Sequence, residues 1–372
     1  MDNPFKNFFA KAETNVIGID VGSSAVKVVQ LAKVHGRAVL KTYGSLALGP
    51  YANLAIGQAT NLSADKIGEA IRDLIRESNV TTISAGISIP LRSSLVTLVE
   101  MPALPEAQLK QMIPIEARKF IPVPISEVAL DWWIIPKEEE KAFDFDPDAR
   151  IKTPSRADKV EVLLVSIHNE VLSGYNNIVQ AAGLRASFFE IEMFAAIRAL
   201  ADREIAPVAI FDMGATSTKI YISERGVVKE SHIINKGSQD ITISISKGLQ
   251  VTIEKAEKIK RNLGEGSTAD QKSIYDIISL TIDYIFSEVG SLMVAYQKKH
   301  NKSISKMYLT GGGVAMKGFF DLARSRFETE VVLGNPFSKV EAPAFLADIL
   351  KQAGLDFAVA VGIALRKLQE LD

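Results

Sequence analysis

The chain carries one hairpin pattern twice. Ile17-Gly-Ile-Asp-Val-Gly-Ser-Ser-Ala-Val-Lys-Val-Val29 and Ile210-Phe-Asp-Met-Gly-Ala-Thr-Ser-Thr-Lys-Ile-Tyr221 both run from apolar residues into Asp-x-Gly, then small or hydroxylated residues, then Lys and a second apolar run. Each predicts a strand, a tight turn and a returning strand. Two copies so far apart predict two related lobes, and 372 residues exceed what one ordinary core accommodates. Glycine at the tip lets the backbone approach an anion. The amides and hydroxyls of Ser23, Ser24, Thr216 and Ser217 are donors suited to phosphate oxygens. Asp20 and Asp212 suit waters around a magnesium ion, which takes few direct carboxylates. One Asp-x-Gly alone is ordinary turn chemistry. The duplication is what predicts a clamp on a nucleoside triphosphate.

A third element supports the same reading. Met307-Tyr-Leu-Thr-Gly-Gly-Gly-Val-Ala-Met-Lys-Gly318 predicts a short strand, a triple glycine and the start of a helix. Gly311, Gly312 and Gly313 remove side chains that would block a base or a phosphate, and a helix N-terminus favours anions. Gly248–Lys260 predicts a helix with Glu257 and Lys260 one turn apart on one face. Taken alone, that pair reads as a solvated helix face. Phe357–Arg366 resembles the second connecting helix of the actin-like superfamily, in which Gly362 and the alanines would permit close packing between domains, and such a helix suits a hinge.

In this order the three elements resemble the phosphate-one, phosphate-two and adenosine motifs of the actin, sugar kinase and heat-shock chaperone superfamily. The resemblance implies an α/β, actin-like fold (a duplicated ribonuclease H-like unit) with ATP or ADP and magnesium between two lobes. It carries the nucleotide contacts onto Gly22, Ser23, Ser24 and Lys27 in the first hairpin. In the second it carries them onto Gly214, Ala215, Thr216, Ser217 and Lys219, and further along onto Gly237, Glu257, Lys260, Gly311, Gly312, Gly313 and Met316. Asp20 and Asp212 take the metal, through water. Glu190, or Glu192 beside it, lies where the superfamily places the side chain that orients an attacking water. Either residue equally suits a helix N-terminus. No arginine is placed by sequence to meet a γ-phosphate, so any hydrolysis is expected to be slow. Asp212→Ala is expected to abolish magnesium-ATP binding while leaving the melting of the nucleotide-free protein nearly intact.

The remaining layout predicts strands over 15–50 with turns near His35-Gly36 and Gly44. An amphipathic helix Ala64–Ser78 follows, with Ile67, Ile71, Leu74 and Ile75 on one face, and then a strand Thr82–Ile89. A helix opens at Pro105-Glu106, is kinked or broken at Pro114 and stops at Pro122-Val-Pro124. After Trp132-Trp133-Ile-Ile, the charged stretch Pro136–Lys159 reads as an exposed hairpin loop, and Gly264–Asp270 as another loop. Later helices are expected over Asn169–Ala182, Ile191–Arg203, Asp240–Leu249, Thr252–Leu263 and Ile274–His300.

Ile115-Glu-Ala-Arg-Lys-Phe-Ile-Pro-Val-Pro-Ile-Ser-Glu-Val-Ala-Leu-Asp131, with Val99-Glu-Met-Pro102 and Val332-Leu-Gly-Asn-Pro336, resembles the PilM family of type IV pilus assembly, relatives of the cell-division actin homologue FtsA. This implies an FtsA-type inserted subdomain (SHS2-type) at 90–168 in a first lobe 1–206, whose core is 15–89 and 169–206. A second lobe covers 207–343, and C-terminal helices 344–372 return to the first. It also implies a cytoplasmic ATP-binding adaptor, peripheral to the inner membrane through its partner in the pilus assembly complex. That partner is a PilN-like single-span inner-membrane protein, whose N-terminal cytoplasmic peptide lies in a groove between the main first-lobe subdomain and the insert. Strands Ile83–Ile89 and Leu95–Met101 are the candidates for pairing with that peptide. A homo-oligomer is compatible with the pattern. Two alternatives stay open: an FtsA-like filament former, which wants a C-terminal amphipathic anchor, and a small-molecule kinase, which needs a base beside an acceptor pocket.

Composition excludes several classes. Lys+Arg 43 against Asp+Glu 44 gives a net charge of −1, no global case for nucleic acid. With no cysteine, disulfides, thiol nucleophiles and thiolate metal sites are ruled out. His35, His168, His232 and His300 show no ligand spacing. No membrane span or signal-length apolar run is visible at the start, where Phe5, Phe8 and Phe9 suit a frayed tail or a staple onto the domain.

Overall fold

The computed structural model describes residues 15–135, 159–201, 204–263 and 268–370. Phe5, Phe8, Phe9 and nearly all of the charged stretch 136–159 lie outside the described residues. The chain divides into two compact units, Met1–Pro90 with Asn176–Asp372, and Leu91–Tyr175.

In chain order the elements begin with β1 (Asn15–Val21), β2 (Ala25–Val34), β3 (Arg37–Ala47), α1 (Ala64–Glu77), β4 (Ser84–Ile89) and β5 (Ser94–Pro102). Next come α2 (Glu106–Ala117), β6 (Val128–Ile135), β7 (Lys159–His168), α3 (Asn169–Ala181), β8 (Arg185–Ile191) and α4 (Glu192–Leu200). The second half holds β9 (Val208–Met213), β10 (Thr218–Glu224), β11 (Val227–Ile234), α5 (Ser238–Leu249), α6 (Ile253–Arg261) and α7 (Thr268–His300). The chain closes with β12 (Lys306–Thr310), α8 (Phe319–Arg326), β13 (Glu330–Leu333), α9 (Ala347–Ala353) and α10 (Ala358–Gln369).

The larger unit holds two five-stranded sheets of matching topology, β3-β2-β1-β4-β8 and β11-β10-β9-β12-β13. In each, two antiparallel hairpin connections lead into strands added in parallel. The parallel additions follow from the helices that cross between strands. The central strands β1 and β9 are buried almost throughout, which explains why they read as continuous apolar runs rather than alternating ones. His35 and Gly36 both take positive φ at the β2–β3 turn, as a tight hairpin requires. Gly44 is no turn. It lies inside β3, where a Cβ would stand 2.0 Å from Ser78 Oγ, so its role is close packing under α1.

Around the second sheet, Phe211, Phe286 and Phe319 form a tilted cluster with ring centroids 5.5–6.2 Å apart. Each such ring contributes about 1.5–3 kcal/mol by leaving water. Helix α7 is long and apolar enough to cross a membrane by length and composition. Its Ile278, Ile282, Ile285, Phe286, Val289, Met293 and Tyr296 are instead buried in this core. It begins at Thr268, inside the segment expected to be a loop.

Helix α10 packs backbone to backbone on the first sheet. A Cβ at Gly18 would meet the Ala360 carbonyl at 2.1 Å, and one at Gly362 would meet the Ala195 carbonyl of α4 at 1.9 Å. Larger residues at either position would force these elements apart.

The smaller unit is a three-stranded antiparallel sheet, β5-β7-β6, covered by α2. Leu109, Ile113 and Ala117 of α2 are buried with Val99, Met101, Val162 and Leu164. Helix α2 runs on through Pro114 without the expected break and stops at Ala117, well before Pro122. The ring falls on a half-buried turn, between the buried Ile113 and Ala117 that hold the helix to the sheet.

Candidate functional site

Hairpin register builds the site. Asp20 stands directly across from Lys27 in the β1–β2 ladder, and Asp212 from Lys219 in β9–β10. The identical offset in sequence therefore places one Asp/Lys pair at the same rung of each hairpin. Asp20 accepts a hydrogen bond from Ser88 Oγ at 2.9 Å and lies 3.5 Å from Lys27 Nζ. Lys219 Nζ donates to Glu192 at 2.7 Å and to Asp212 at 3.3 Å.

The two hairpins face each other. Thr216 Oγ1 donates to Ser23 Oγ across the tips at 3.4 Å. Burial alone would push the Lys27 ammonium down, but Asp356, Asp20 and Asp212 together hold it above its ordinary 10.5. Burial opposes Lys219 in the same way, and Asp212, Glu192 and Asp20 hold it well above its ordinary range. Each lysine thus feels the other hairpin's aspartate. Tyr221, one step along the same face of β10 as Lys219, is fully buried with its hydroxyl unpartnered among the described residues. Its phenol is pushed up by burial, then by Glu192, Asp212 and Asp20.

At the tips, the Gly22 amide donates to the Ala25 carbonyl and the Gly214 amide to the Ser217 carbonyl. That leaves the amides of Ser23, Ser24, Ala215 and Thr216 without a backbone acceptor among the described residues. Such an open row of amides suits an anion. The tips touch in this structure, so they must part to admit one. Gly237 stands against the second tip, where a Cβ would meet the Ala215 carbonyl at 2.5 Å. The Ser238 and Gln239 amides donate to the Gly214 and Ala215 carbonyls, docking the start of α5 on the hairpin.

The triple glycine arrives through the parallel β9–β12 pairing, which sets Thr310 beside Asp212. Gly311 has φ +90°, and a Cβ there would stand 2.5 Å from Asp212 Oδ1. Its amide donates to the Leu355 carbonyl at 2.7 Å, and the Thr310 hydroxyl donates to the same oxygen at 2.8 Å. Gly312 abuts Asp356 and Gly313 abuts Met213. The expected helix does not follow directly: a 3₁₀ turn, Gly312–Ala315, intervenes, and α8 starts only at Phe319. Met316 is buried in the second-sheet core.

Glu257 and Lys260 are not a solvated face. Both are buried, with Lys260 Nζ 2.7 Å from Glu257 Oε2 and 3.0 Å from Thr242 Oγ1. Burial works against the Glu257 charge, but Lys260, Arg261 and Thr242 outweigh it and hold the carboxyl below its ordinary range. The loop after β3 reaches this pair: a Cβ at Gly57 would stand 3.1 Å from the Glu257 carboxyl carbon, and the Ala59 amide donates to Gln239.

The two candidate glutamates separate. Glu190 is buried and accepts from Arg198 at 2.7 Å through both oxygens, and from Arg366 at 2.9 Å. Both Glu190 oxygens are thereby engaged by arginines. Glu192, at the start of α4, is the one joined through Lys219 to Asp212. Sequence reasoning also missed Asp356, which no local pattern marks. Asp212 is itself buried and ion-paired, so Asp212→Ala would strip a buried lysine of a partner and cost stability, against the unchanged melting expected above.

Four carboxylates (Asp20, Asp212, Glu192, Asp356) against two lysines leave this cluster about two charges negative. A triphosphate would be repelled by it, and magnesium, by cancelling two of the nucleotide's roughly four negative charges, would weaken that repulsion. Among the described residues no three acidic or histidine side chains form a direct metal cage.

A family model described as "Type IV pilus assembly protein PilM" matches residues 18–368. A chain from a "PilM-PilN type IV pilus biogenesis complex" superposes with a TM-score of 0.78 at 22% identity, covering 95% of this chain and 98% of that one. The ethanolamine utilization protein EutJ from Carboxydothermus hydrogenoformans gives a TM-score of 0.55 at 14% identity, covering 94% and 89%. The cell division protein FtsA of Bacillus subtilis is 25% identical over 261 residues, 63% of this chain. The chain spans 58% of that relative's length. These matches bear out the actin-like α/β fold that the resemblance of the three motifs implied.

Proposed function

Since the chain belongs to the type IV pilus assembly protein PilM family, we propose that it is the actin-like, ATP-binding adaptor of that assembly. Magnesium-ATP or ADP occupies the space between the two hairpins once their tips part. The observation that carries this reading is the direct opposition of two identically registered Asp/Lys hairpins, joined by Thr216 and Ser23.

The free amides of Ser23, Ser24, Ala215 and Thr216 receive phosphate oxygens, and Lys27 and Lys219 supply the counter-charge. Asp20 and Asp212 hold the hydrated magnesium, which offsets the charge of the phosphates against the surrounding carboxylates. Gly311, Gly312 and Gly313 line the site beside Asp212, while the Glu257–Lys260 pair meets the ribose and base. Glu192, joined through Lys219 to Asp212, is the carboxylate we assign to orient a water, and turnover is expected to be slow.

The partner is the N-terminal cytoplasmic peptide of a PilN-like single-span inner-membrane protein, which keeps the chain cytoplasmic and peripheral to that membrane. Strand β4 is unsuited to pair with such a peptide, because β1 and β8 flank it on both sides. Strand β5 stands at the end of the β5-β7-β6 order, and we assign the peptide to pairing along that edge.

Calorimetry of the full chain with magnesium-ATP tests the nucleotide reading. Wild type should bind, chelation of magnesium should remove binding, and Asp212→Asn should weaken it at least about tenfold. Unchanged affinity in Asp212→Asn would contradict the assignment. Because this change keeps the shape of the side chain, thermal melting of the same samples separates lost binding from lost folding.

A further inference from the structure

Helix α7 buries one face in the second-sheet core and leaves another uncovered. Along the uncovered face run Leu280, Tyr284, Ser287, Ser291, Val294 and Lys298, spaced alternately four and three residues apart. That is the repeat by which two helices keep one seam in contact over many turns. Leu280 is 81% exposed, Tyr284 49% and Val294 48%, which is unusual for large apolar side chains on one continuous stripe. Past its midpoint the same helix borders a groove of about 580 Å³, walled by Phe286, Gly290, Val294, Ala295 and Phe327, with Lys298 and Arg326 also in the wall.

We propose that this face pairs with a second copy of the chain, two α7 helices lying antiparallel about a two-fold axis at Ser287. The arrangement is self-complementary, as a two-fold interface must be. Ser287 meets Ser287 of the other copy. Tyr284 falls opposite Gly290 and Leu280 opposite Val294, so the bulky stretch of each helix lies over the groove of the other. The small residues Ser287, Gly290 and Ser291 let the backbones approach between them. Charge selects the direction. Asp276 and Lys298, both exposed, come opposite each other at the two ends of the antiparallel seam, whereas a parallel pair would set like charges together. Charge also favours a protein over a lipid surface, because exposed Asp283 and half-buried Glu288 adjoin the stripe and would be driven from an acidic bilayer.

The absence of cysteine makes the test clean. In the full-length protein, Ser287→Cys should give a covalent dimer on mild oxidation, while the exposed Ser338→Cys, outside α7, should not. In sedimentation velocity across a concentration series, wild type should pass from monomer to dimer. Leu280→Glu should weaken the dimer by roughly tenfold or more, as expected for a charge placed in an apolar contact. Asp276→Lys and Lys298→Asp should each weaken it by about two- to fivefold, and their combination should restore it. A wild type that stays monomeric throughout, equal crosslinking at the two engineered thiols, or no rescue by the double exchange would overturn the proposal. So would a monomer that binds phosphatidylglycerol vesicles through Leu280, an outcome that would make the stripe a lipid contact.

Discussion

In the first hairpin Lys27 stands 3.5 Å from Asp20 and 3.9 Å from Asp356, whereas in the second Lys219 stands 2.7 Å from Glu192 and 3.3 Å from Asp212. The ladders are the same and the rung is the same, so the hairpin alone does not set the difference. What differs is the third carboxylate. Glu192 begins a helix and is buried, while the Asp356 side chain is 42% exposed to water. The same hairpin scaffold thus occurs twice, and neighbours from elsewhere in the chain leave one ion pair tight and buried and the other longer and partly hydrated.

The sharpest way to break this comparison is to remove each lysine. Lys219→Met leaves two buried carboxylates facing each other and should cost about 3–5 kcal/mol in urea unfolding. Lys27→Met should cost about 1–2 kcal/mol, because Asp356 can rehydrate. Equal losses would mean the two pairs are equivalent after all. The turns reverse the order. A Cβ at Gly22 would lie 2.9 Å from the Ala25 carbonyl, and one at Gly214 3.2 Å from the Ser217 carbonyl. Gly22→Ala is therefore expected to destabilise by about 1–3 kcal/mol and Gly214→Ala by under about 1 kcal/mol.

A further effect is in pH. Both lysines have folded values above 10.5, so their stabilising contributions are complete below that pH and are lost as it rises through the higher folded values. Stability should fall from about pH 10.5 upward, by at most about 1.4 kcal/mol per pH unit for each group. Lys219→Met should flatten that slope more than Lys27→Met does. A slope unaffected by Lys219→Met would locate the alkaline titration elsewhere.

Much of this was legible in the residues because it is local. Asp-x-Gly followed by Lys at a fixed offset dictates the hairpin, and the hairpin dictates the cross-strand pair. Repetition of that unit pointed to two related lobes, and the fold class came from the resemblance of the three motifs to a known superfamily. What escaped the sequence is what depends on distant partners. Glu190 and Glu192 look interchangeable in a line of letters, and only the approach of Arg198 and Arg366 assigns them opposite sides. Glu257 and Lys260 looked solvated because Thr242, which helps bury them, sits on another helix. Gly44 looked like a turn because glycine usually is one between apolar runs, whereas here it makes room for Ser78.

The glycine loop holds one further consequence. Gly311 and Thr310 are both tied to the Leu355 carbonyl, just ahead of α10, and α10 lies on Gly18 and against Ala195 with no side chain between. Contacts of that kind have no slack in which a small displacement could be lost. The loop beside Asp212 and the strand that carries Asp20 are thus linked through one unbroken run of backbone contacts, and a ligand that shifted either would strain the other.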